Sequence, residues 1–497
     1  MSRIFETVVC HALRTPSAPA VQGGGVTLDY AALLHQVEAV AARLRVSGVR
    51  VLGLMLDNAP AWAVADLAAQ HADVVLLPLP AFFSTGQLHH ALESSGADAV
   101  LCDDPCTLGG LLPWELVQEW DITGRRLTLL SRIPAAAPAL PAGTAKITYT
   151  SGTTGQPKGV CLSQVAMDRV AQSLALVSGA AASDRHLACL PLPTLLENIG
   201  GLYAPLLLGA CSVLEPLADV GLAGASGLDP QRLHAALQEQ RANSAILVPV
   251  QLQGLLSVLA AGAAPLHDMR YLAVGGAAVS PRLLQDAMGL GLPVYQGYGL
   301  SECASVVAVN SAGTNRIGSV GRPLPHVQLE FSADGEIRIG GAGFLGYLGS
   351  DAGSDDLWDS GDLGYLDDDG FLHLTGRKKN QFITAFGRNV APEWVEAELT
   401  RHRAIPQAAV FGEARQWNVA VVVSATTDAE IDAAIAAANA QLPDYARVRR
   451  WLRAAAPFTP ANGLATANGR PRRQAILDAY GARIDALYAT TAKEVTA

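Results

Sequence analysis

The sequence predicts an α/β protein with a large N-terminal region of mixed sheets flanked by helices and a small α+β C-terminal domain. Two observations predict it. Over residues 1–377, apolar runs alternate with segments of helical periodicity, which is typical of βαβ units and a largely parallel sheet. After a polar basic run near 377–380, a shorter strand–helix–strand–strand–helix pattern indicates a second unit. We therefore predict domains at 1–377 and 378–497.

The N-terminal elements follow from this alternation. Residues 133–144 are rich in Ala and Pro without any period, and they indicate a surface connector. Before the connector, helix-like and strand-like segments occur in the order 30–44, 49–56, 61–69, 74–78, 89–94 and 97–102.

A loop of hydroxyl residues and glycines, TSGTTGQPKG, follows the strand-like run 147–150, and helix-forming residues begin at Val165. Glycine lets backbone N–H groups face a ligand, Ser and Thr add donors, and Lys158 adds a charge. This composition predicts a phosphate cradle. It differs from the common nucleotide-binding loop, because Gly159 follows the lysine where Ser or Thr is required. The alternative of a flexible linker explains the strand and helix on either side less well.

Beyond this loop the alternation resumes, with strands predicted at 187–192, 245–248, 269–274 and 292–296. Asp229-Pro230 and Ser280-Pro281 predict helix starts, since Asp and Ser cap helices and Pro suits the first helical position. Strands near Thr150, Gly275 and Gly297 end in glycine or hydroxyl residues, and such strand ends are where open α/β sheets bind ligands.

The remaining elements change character. Asp-Gly turns around the segments 327–339 and 370–374 predict antiparallel strands. In the C-terminal unit we predict strands at 382–385, 408–411 and 419–424, and helices at 392–402 and 429–439.

Composition excludes several functions. The net charge is −10, and no strong basic run precedes the C-terminal end, so we expect no nucleic-acid partner. The seven cysteines are scattered without metal-ligand spacing or a disulfide pattern, which fits a reducing cytoplasm. The N-terminus lacks a signal-peptide core, and the most apolar stretch, 199–214, is short and broken by glycine. We predict a cytoplasmic protein with no transmembrane segment.

Three further polar clusters accompany the loop: QGYGLSE at 296–302, WDSGD at 358–362 and GRKK at 376–379. Each alone is compatible with core packing or a solvated surface. Together and in this order they resemble the adenylate-forming superfamily, which includes acyl-CoA synthetases, aryl-CoA ligases, luciferases and peptide-synthetase adenylation domains. The resemblance covers most of the chain and is strongest to fatty acyl-CoA synthetases. It implies that the C-terminal domain is mobile.

The resemblance also implies a reaction. A carboxylate attacks the α-phosphate of ATP in the presence of Mg²⁺, and a thiol of CoA or phosphopantetheine then takes the acyl group and releases AMP. By this resemblance, Lys158 acts on the phosphates, Glu302 holds Mg²⁺ and Tyr298 stacks on adenine. Asp362 then accepts from both ribose hydroxyls, Arg377 contacts ribose or phosphate, and Lys379 is the hinge of the C-terminal domain. The other implied nucleotide-site residues are Thr150, Ser151, Gly152, Thr153, Thr154, Gly155, Gly276, Ala277, Gln296, Gly297, Gly299 and Ser301.

Two positions depart from the family pattern. Arg470 stands where a lysine usually bridges the acid and the α-phosphate. Its fork could bridge both groups, it could slow adenylation, or it could be a solvated residue in a basic turn. Ser301 replaces the commoner Thr and keeps the hydroxyl.

The substrate is predicted from the segment 191–198, which matches the acyl pocket of the family. Thr194 replaces a larger residue and widens the pocket, and Glu197 is its one acid. We predict an aliphatic carboxylate, with CoA or an acyl carrier protein as the open choice of thiol acceptor. The alternatives are an amino-acid-adenylating enzyme in which Glu197 holds the amine, and a catalytically reduced nucleotide-binding homologue supported by Arg470.

Overall fold

The computed structural model describes residues 2–134, 138–150, 158–224, 227–350, 357–466 and 469–489. Within these ranges, four main sheets and the helices around them build the α/β architecture, which confirms the predicted fold class. We call the sheets A, B, C and D; sheets A to C lie before residue 378 and sheet D lies after it.

Sheet A carries the strand ends that form one wall of the site. Its six central strands are parallel, because crossovers connect them, and its outer strands pair antiparallel. In spatial order the described strands are Arg322–Pro323, Ala308–Val309, Val294–Tyr298, Tyr271–Val274, Ser244–Leu247, Arg185–Leu187, Cys211–Val213, Pro19–Gly23 and Val26–Asp29.

Sheet B carries the predicted phosphate loop. In spatial order its described strands are Phe344–Tyr347, Lys158–Ser163, Thr144–Thr150, Val75–Pro78, Val51–Met55, Ala99–Cys102, Arg125–Ser131 and Leu116–Ile122. The hairpin formed by the last two strands was not predicted. Its Glu, Gln and Arg residues hide the alternating pattern, because one face of this edge hairpin is exposed.

Sheet C is antiparallel, as the Asp-Gly turns predict, with strands Gln328–Phe331, Glu336–Gly340, Leu357–Leu366 and Leu372–Arg377. Its register sets Asp362 opposite Arg377 on the neighbouring strand. Two residues that are 15 positions apart in the sequence therefore face the site side by side.

The described α-helices before residue 378 are Arg3–Arg14, Tyr30–Ser47, Pro60–His71, Thr85–Ser95, Gln164–Ser178, Leu195–Glu197, Ala204–Leu208, Pro230–Glu239, Pro249–Ala260 and Pro281–Gly289. A π-helix spans Asn198–Tyr203. Asp229 caps its helix as predicted, accepting from two backbone N–H groups. The helix at Pro281 also begins as predicted, but the Ser280 hydroxyl donates to the Thr400 carbonyl instead of capping it.

Sheet D forms the core of the C-terminal region with strands Gln407–Phe411, Asn418–Val423 and Val448–Arg453. Helices Pro392–Leu399, Asp428–Asn439 and Arg473–Ala489 lie around it. The strand Val448–Arg453 was not predicted, because three arginines in VRRWLR obscure its period. No helix in the described part of the chain combines the length and apolar character needed to cross a membrane.

Candidate active site

One continuous cleft of roughly 3630 Å³ runs between the ends of the sheet A strands, sheet C and the C-terminal region. Every described residue that the sequence assigned to the nucleotide, the metal or the hinge lines this cleft, and so does Arg470. A single small ligand needs about 300–1,000 Å³, so the cleft has room for more than one substrate.

The predicted phosphate loop connects two antiparallel strands of sheet B. Thr150 ends the first strand and is the Cα partner of Lys158, which begins the second. The helix predicted from Val165 is present, but the strand between the loop and this helix was not predicted. Strand Lys158–Ser163 comes first, because its apolar run is buried within sheet B, and the helix begins at Gln164. The predicted loop residues outside the described ranges are Ser151, Gly152, Thr153, Thr154 and Gly155.

A tyrosine that the sequence analysis missed links Lys158 to Glu302. The Lys158 ammonium lies 5.1 Å from the centre of the Tyr347 ring, which is a cation–π distance. The Tyr347 hydroxyl donates to Glu302 Oε1 at 2.8 Å. Burial, and then the charge of Glu302, raises the pKa of Tyr347, so the hydroxyl remains a donor. No local motif marks Tyr347; it reaches the site because its strand pairs with the strand of Lys158.

Glu302 has the chemistry that a nucleotide-bound Mg²⁺ requires. Mg²⁺ is usually held by one or two carboxylates together with substrate phosphates and water. Tyr347 holds one Glu302 oxygen, and among the described residues the other oxygen has no hydrogen-bond partner. The described residues contain no group of three or more His, Cys, Asp or Glu that could hold a metal by side chains alone. Glu302 therefore fits a metal that enters with the triphosphate.

The predicted adenine and ribose residues contact each other. The Tyr298 hydroxyl donates to Asp362 Oδ2 at 2.7 Å, and Arg377 Nε lies 2.6 Å from Asp362 Oδ1. Asp362 is only 4% exposed. Burial, and then Asp362, raises the pKa of Tyr298 well above its ordinary value. Asp362 is thus a buried, charge-paired acceptor at the cleft wall, and binding of a ribose diol requires it to exchange one of these partners.

Backbone geometry shapes the wall next to Tyr298. A Cβ at Gly299 would overlap the Ser305 carbonyl, so this position requires glycine. Ala304 and Ser305 have φ values of 50° and 96°, which cost free energy for residues that carry a Cβ. This strained turn folds the chain back after Glu302. The predicted wall residues that line the cleft with them are Gly276, Ala277, Gln296, Gly297 and Ser301.

The C-terminal region contributes Arg470. Arg470 Nη2 donates to the Gly276 carbonyl at 2.9 Å. Gly276 has a φ of 77°, and its backbone belongs to the turn that follows strand Tyr271–Val274. Arg470 therefore reaches the same strand ends as Tyr298, although the two positions are 172 residues apart in the sequence.

Lys379 lies in a short turn, Lys378–Asn380, between the two regions. Lys378 Nζ bonds Glu336 of sheet C at 2.6 Å, and Asn380 donates to Glu393 of the next helix at 2.5 Å. Burial, and then the charge of Arg377, lowers the pKa of Lys379. Lys379 itself has no ion pair among the described residues. The turn is anchored on both sides of Lys379.

Beyond Tyr298 and Asp362, the cleft continues along sheet A as an apolar lane. Its lining includes Leu174 and Leu196 with the small residues Gly200, Ala204 and Ala273. A Cβ at Gly200 would lie 2.7 Å from Ile246 Cδ1, so this glycine allows the π-helix to approach the sheet closely. The lane runs beside the strand from Gly275 to Arg270, and this stretch of strand is about 16 Å long.

The two residues singled out in the predicted acyl pocket have different environments. Thr194 lines the cleft, and its hydroxyl donates to the Pro191 carbonyl at 2.6 Å. Glu197 is fully buried and accepts from His186 Nε2 at 2.9 Å and from the Leu190 N–H at 2.9 Å. Burial raises the pKa of Glu197, and the His186 contact partly opposes this effect. Both Glu197 oxygens are engaged by protein groups.

The sequence and the fold are similar to those of known proteins. The sequence profile of the AMP-binding enzyme family matches residues 10–345, and that of the AMP-binding enzyme C-terminal domain matches residues 379–492. The chain is 27% identical to the long-chain-fatty-acid–CoA ligase FadD15 of Mycobacterium bovis, over 86% of each chain. It is 29% identical to a feruloyl-CoA synthase of Amycolatopsis sp, over 81% of this chain and 84% of that one. The fold matches the crystal structure of the anthranilate CoA ligase AuaEII with a TM-score of 0.79, 18% identity and 96% coverage of both chains.

Proposed function

The chain belongs to the AMP-binding enzyme family, and on that premise we propose that it is an AMP-forming acid–thiol ligase for an aliphatic carboxylate. It activates the acid with ATP to an acyl-adenylate and transfers the acyl group to the thiol of CoA. One observation carries the proposal: Lys158, Glu302, Asp362 and Arg470, which are distant in the sequence, line one cleft that continues into an apolar lane.

The first half-reaction joins two anions, so it requires positive charge around the phosphates. Lys158 provides a cation at the end of the phosphate loop, and its contact with Tyr347 directs it toward the side of the cleft that holds Glu302. Arg470 provides a second cation, whose planar fork can contact the acid carboxylate and the α-phosphate together. Mg²⁺, held by Glu302 and the phosphates, would supply charge neutralisation there.

Asp362 and Tyr298 orient the nucleoside. A carboxylate suits the two hydroxyls of a ribose, and the hydrogen bond from Tyr298 fixes the direction of this carboxylate. The Tyr298 ring can then lie against adenine, opposite the turn that contains Gly276. These contacts hold the α-phosphate between Lys158 and Arg470, so that the acid carboxylate attacks a phosphate of fixed orientation.

The lane supports an aliphatic substrate. Its wall combines branched apolar residues with Gly200, Ala204 and Ala273 along about 16 Å of strand. The polar residues Asp184, His186 and Arg270 also line this part of the cleft. The alternative of an amino acid is weaker, because Glu197 faces His186 and the Leu190 N–H. An ammonium would have to displace one of these buried contacts.

CoA is the proposed acceptor, since the curated relatives above are named as CoA ligases or synthases. An acyl carrier protein remains an outcome of the test. We place the reaction in the cytoplasm, where thiols stay reduced; all seven cysteines are free.

The experiment is an acid panel. The purified chain is supplied with ATP, Mg²⁺ and one acid of a panel of fatty, aromatic and amino acids, and AMP is measured with and without CoA. We expect CoA-dependent AMP release with aliphatic acids. Release with amino acids alone would refute the aliphatic proposal. A parallel reaction replaces CoA by an acyl carrier protein, and thioester formation only in that reaction would change the acceptor. Tight ATP binding without AMP release from any acid would favour a catalytically reduced homologue.

A further inference from the structure

A buried ionic cluster outside the cleft joins the strand that precedes the phosphate loop to the π-helix that borders the apolar lane. Lys146 is fully buried on strand Thr144–Thr150, four residues before the loop. Its ammonium donates to Asp66 Oδ1 at 2.7 Å, to Asn198 Oδ1 at 2.5 Å and to the Tyr203 hydroxyl at 2.8 Å. Three acceptors satisfy the three donors of an ammonium. Burial lowers the pKa of Lys146 and Asp66 opposes this effect.

The acceptors also bind each other. The Tyr203 hydroxyl donates to Asp66 Oδ2 at 2.5 Å, and Gln70 Nε2 donates to the same hydroxyl at 2.5 Å. Asp66 and Tyr203 are fully buried, and Asn198 is 1% exposed. The cluster therefore joins three elements without access to solvent: the strand of Lys146, the helix Pro60–His71 and the π-helix Asn198–Tyr203.

The π-helix makes the cluster possible. Asn198 and Tyr203 are its first and last residues, five positions apart. In an α-helix, five positions correspond to about 500°, so the two side chains would lie about 140° apart. In a π-helix, hydrogen bonds join residues i and i+5, which brings the two side chains to the same side. Lys146 thus contacts both ends of the π-helix at once.

On the side away from Lys146, the same π-helix forms a wall of the apolar lane. Gly200 lines the lane and approaches Ile246 closely. The strand of Lys146 ends at Thr150, which lines the nucleotide side of the cleft. A shift of the strand relative to the π-helix would therefore move the phosphate loop relative to the acyl chain.

Stability alone does not explain the cluster. Replacing a buried ion pair by apolar residues of similar volume is often neutral or stabilising, because the pair loses solvation. In some proteins, such pairs fix one arrangement of the elements that they join.

We propose that Lys146 and Asp66 form a positioning pair that sets the π-helix, which forms a wall of the apolar lane, at the correct distance from the phosphate loop. The proposal rests on the proposed function, since it concerns the alignment of the acid with ATP. Neither residue touches substrate; both act through the π-helix and the strand that they join.

The test is the double substitution Lys146→Met and Asp66→Asn. It removes both charges together, keeps the volumes, and leaves an acceptor for Tyr203. We expect an unchanged Tm, a KM for ATP within about threefold, and a fall in kcat/KM for the acid of about tenfold to hundredfold, the cost of a small misplacement of reacting groups. Tyr203→Phe, which keeps both charges, should give a smaller fall in the same direction.

The control is Asp168→Asn. Asp168 is also a buried carboxylate with side-chain and backbone donors, but its hydrogen bonds join the helix Gln164–Ser178 to Ser2 and Arg3 and not to the π-helix. A kcat/KM for the acid in the double variant that stays within threefold of the value for the unaltered chain would overturn the proposal. An equal loss of kcat/KM in Asp168→Asn would also overturn it. If the double variant does not fold, Tyr203→Phe decides by the same criterion. No acid-dependent AMP release from the unaltered chain would instead defeat the proposed function first, and this inference with it.

Discussion

Replacing Arg470 by alanine should impair the first half-reaction and leave the second intact. Arg470 reaches the strand ends of sheet A and contacts the Gly276 carbonyl at 2.9 Å, where the nucleotide is proposed to bind. Bridging the acid and the α-phosphate gives it two charge-assisted hydrogen bonds, each contributing about 1.5–3 kcal/mol. The side chain remains exposed, and solvent screening favours the lower end of this range. Two bonds at about 1.5 kcal/mol correspond to roughly a hundredfold loss of rate.

Two assays separate the half-reactions. Acid-dependent exchange of pyrophosphate into ATP measures adenylation, and thioester formation from a supplied acyl-adenylate and CoA measures transfer. We expect Arg470→Ala to lower exchange about a hundredfold and to leave transfer within about threefold. The matched control is Arg449→Ala, an exposed arginine of the same region that does not line the cleft.

Unchanged exchange, or an equal loss in both assays, would refute this reasoning. Arg470→Lys refines it, because lysine keeps the charge and loses the fork. We expect this variant to preserve or raise exchange. A complete loss would mean that the chain specifically requires the arginine.

Three other perturbations test separate parts of the structure. Lys158→Ala should slow pyrophosphate release about tenfold to hundredfold by removing a charge-assisted contact, and unchanged release would exclude its role. Asp362→Asn should raise the KM for ATP about tenfold or more while the KM for the acid stays constant; equal changes in both would indicate general disruption. Burial raises the pKa of Glu396 to about 7 from an ordinary 4.5, so the folded state holds a proton that the unfolded chain releases. The free energy of unfolding should therefore fall as pH rises between these values, and Tm should depend less on pH in Glu396→Gln over this range. The same dependence of Tm on pH in Glu396→Gln and in the unaltered chain would contradict the assignment.

The sequence predicted those features that local chemistry determines. The family resemblance and the α/β fold class are confirmed. Asp229 caps its helix because the cap needs only neighbouring residues, and the Asp-Gly turns of sheet C close antiparallel strands for the same reason. The domain boundary and the roles of the site residues stay predictions.

The features that the sequence did not predict depend on distant partners. Tyr347 enters the site through strand pairing, and its own neighbours in the sequence give no sign of a functional role. The cluster of Lys146 joins residues 52–80 positions away, and it depends on a π-helix that no periodicity indicated. Ser280 resembles a cap in the sequence, but the Thr400 carbonyl accepts its hydroxyl hydrogen bond instead.

The central claim is that four distant segments form one nucleotide site. Backbone amide exchange, measured with and without ATP and Mg²⁺, tests it most directly. ATP should slow exchange together in the peptides that contain Lys158, Gly297–Ser301, Asp362 and Arg470, with no change in the helix Asp428–Asn439. Protection confined to one of these segments, or absent from all of them, would contradict a shared site.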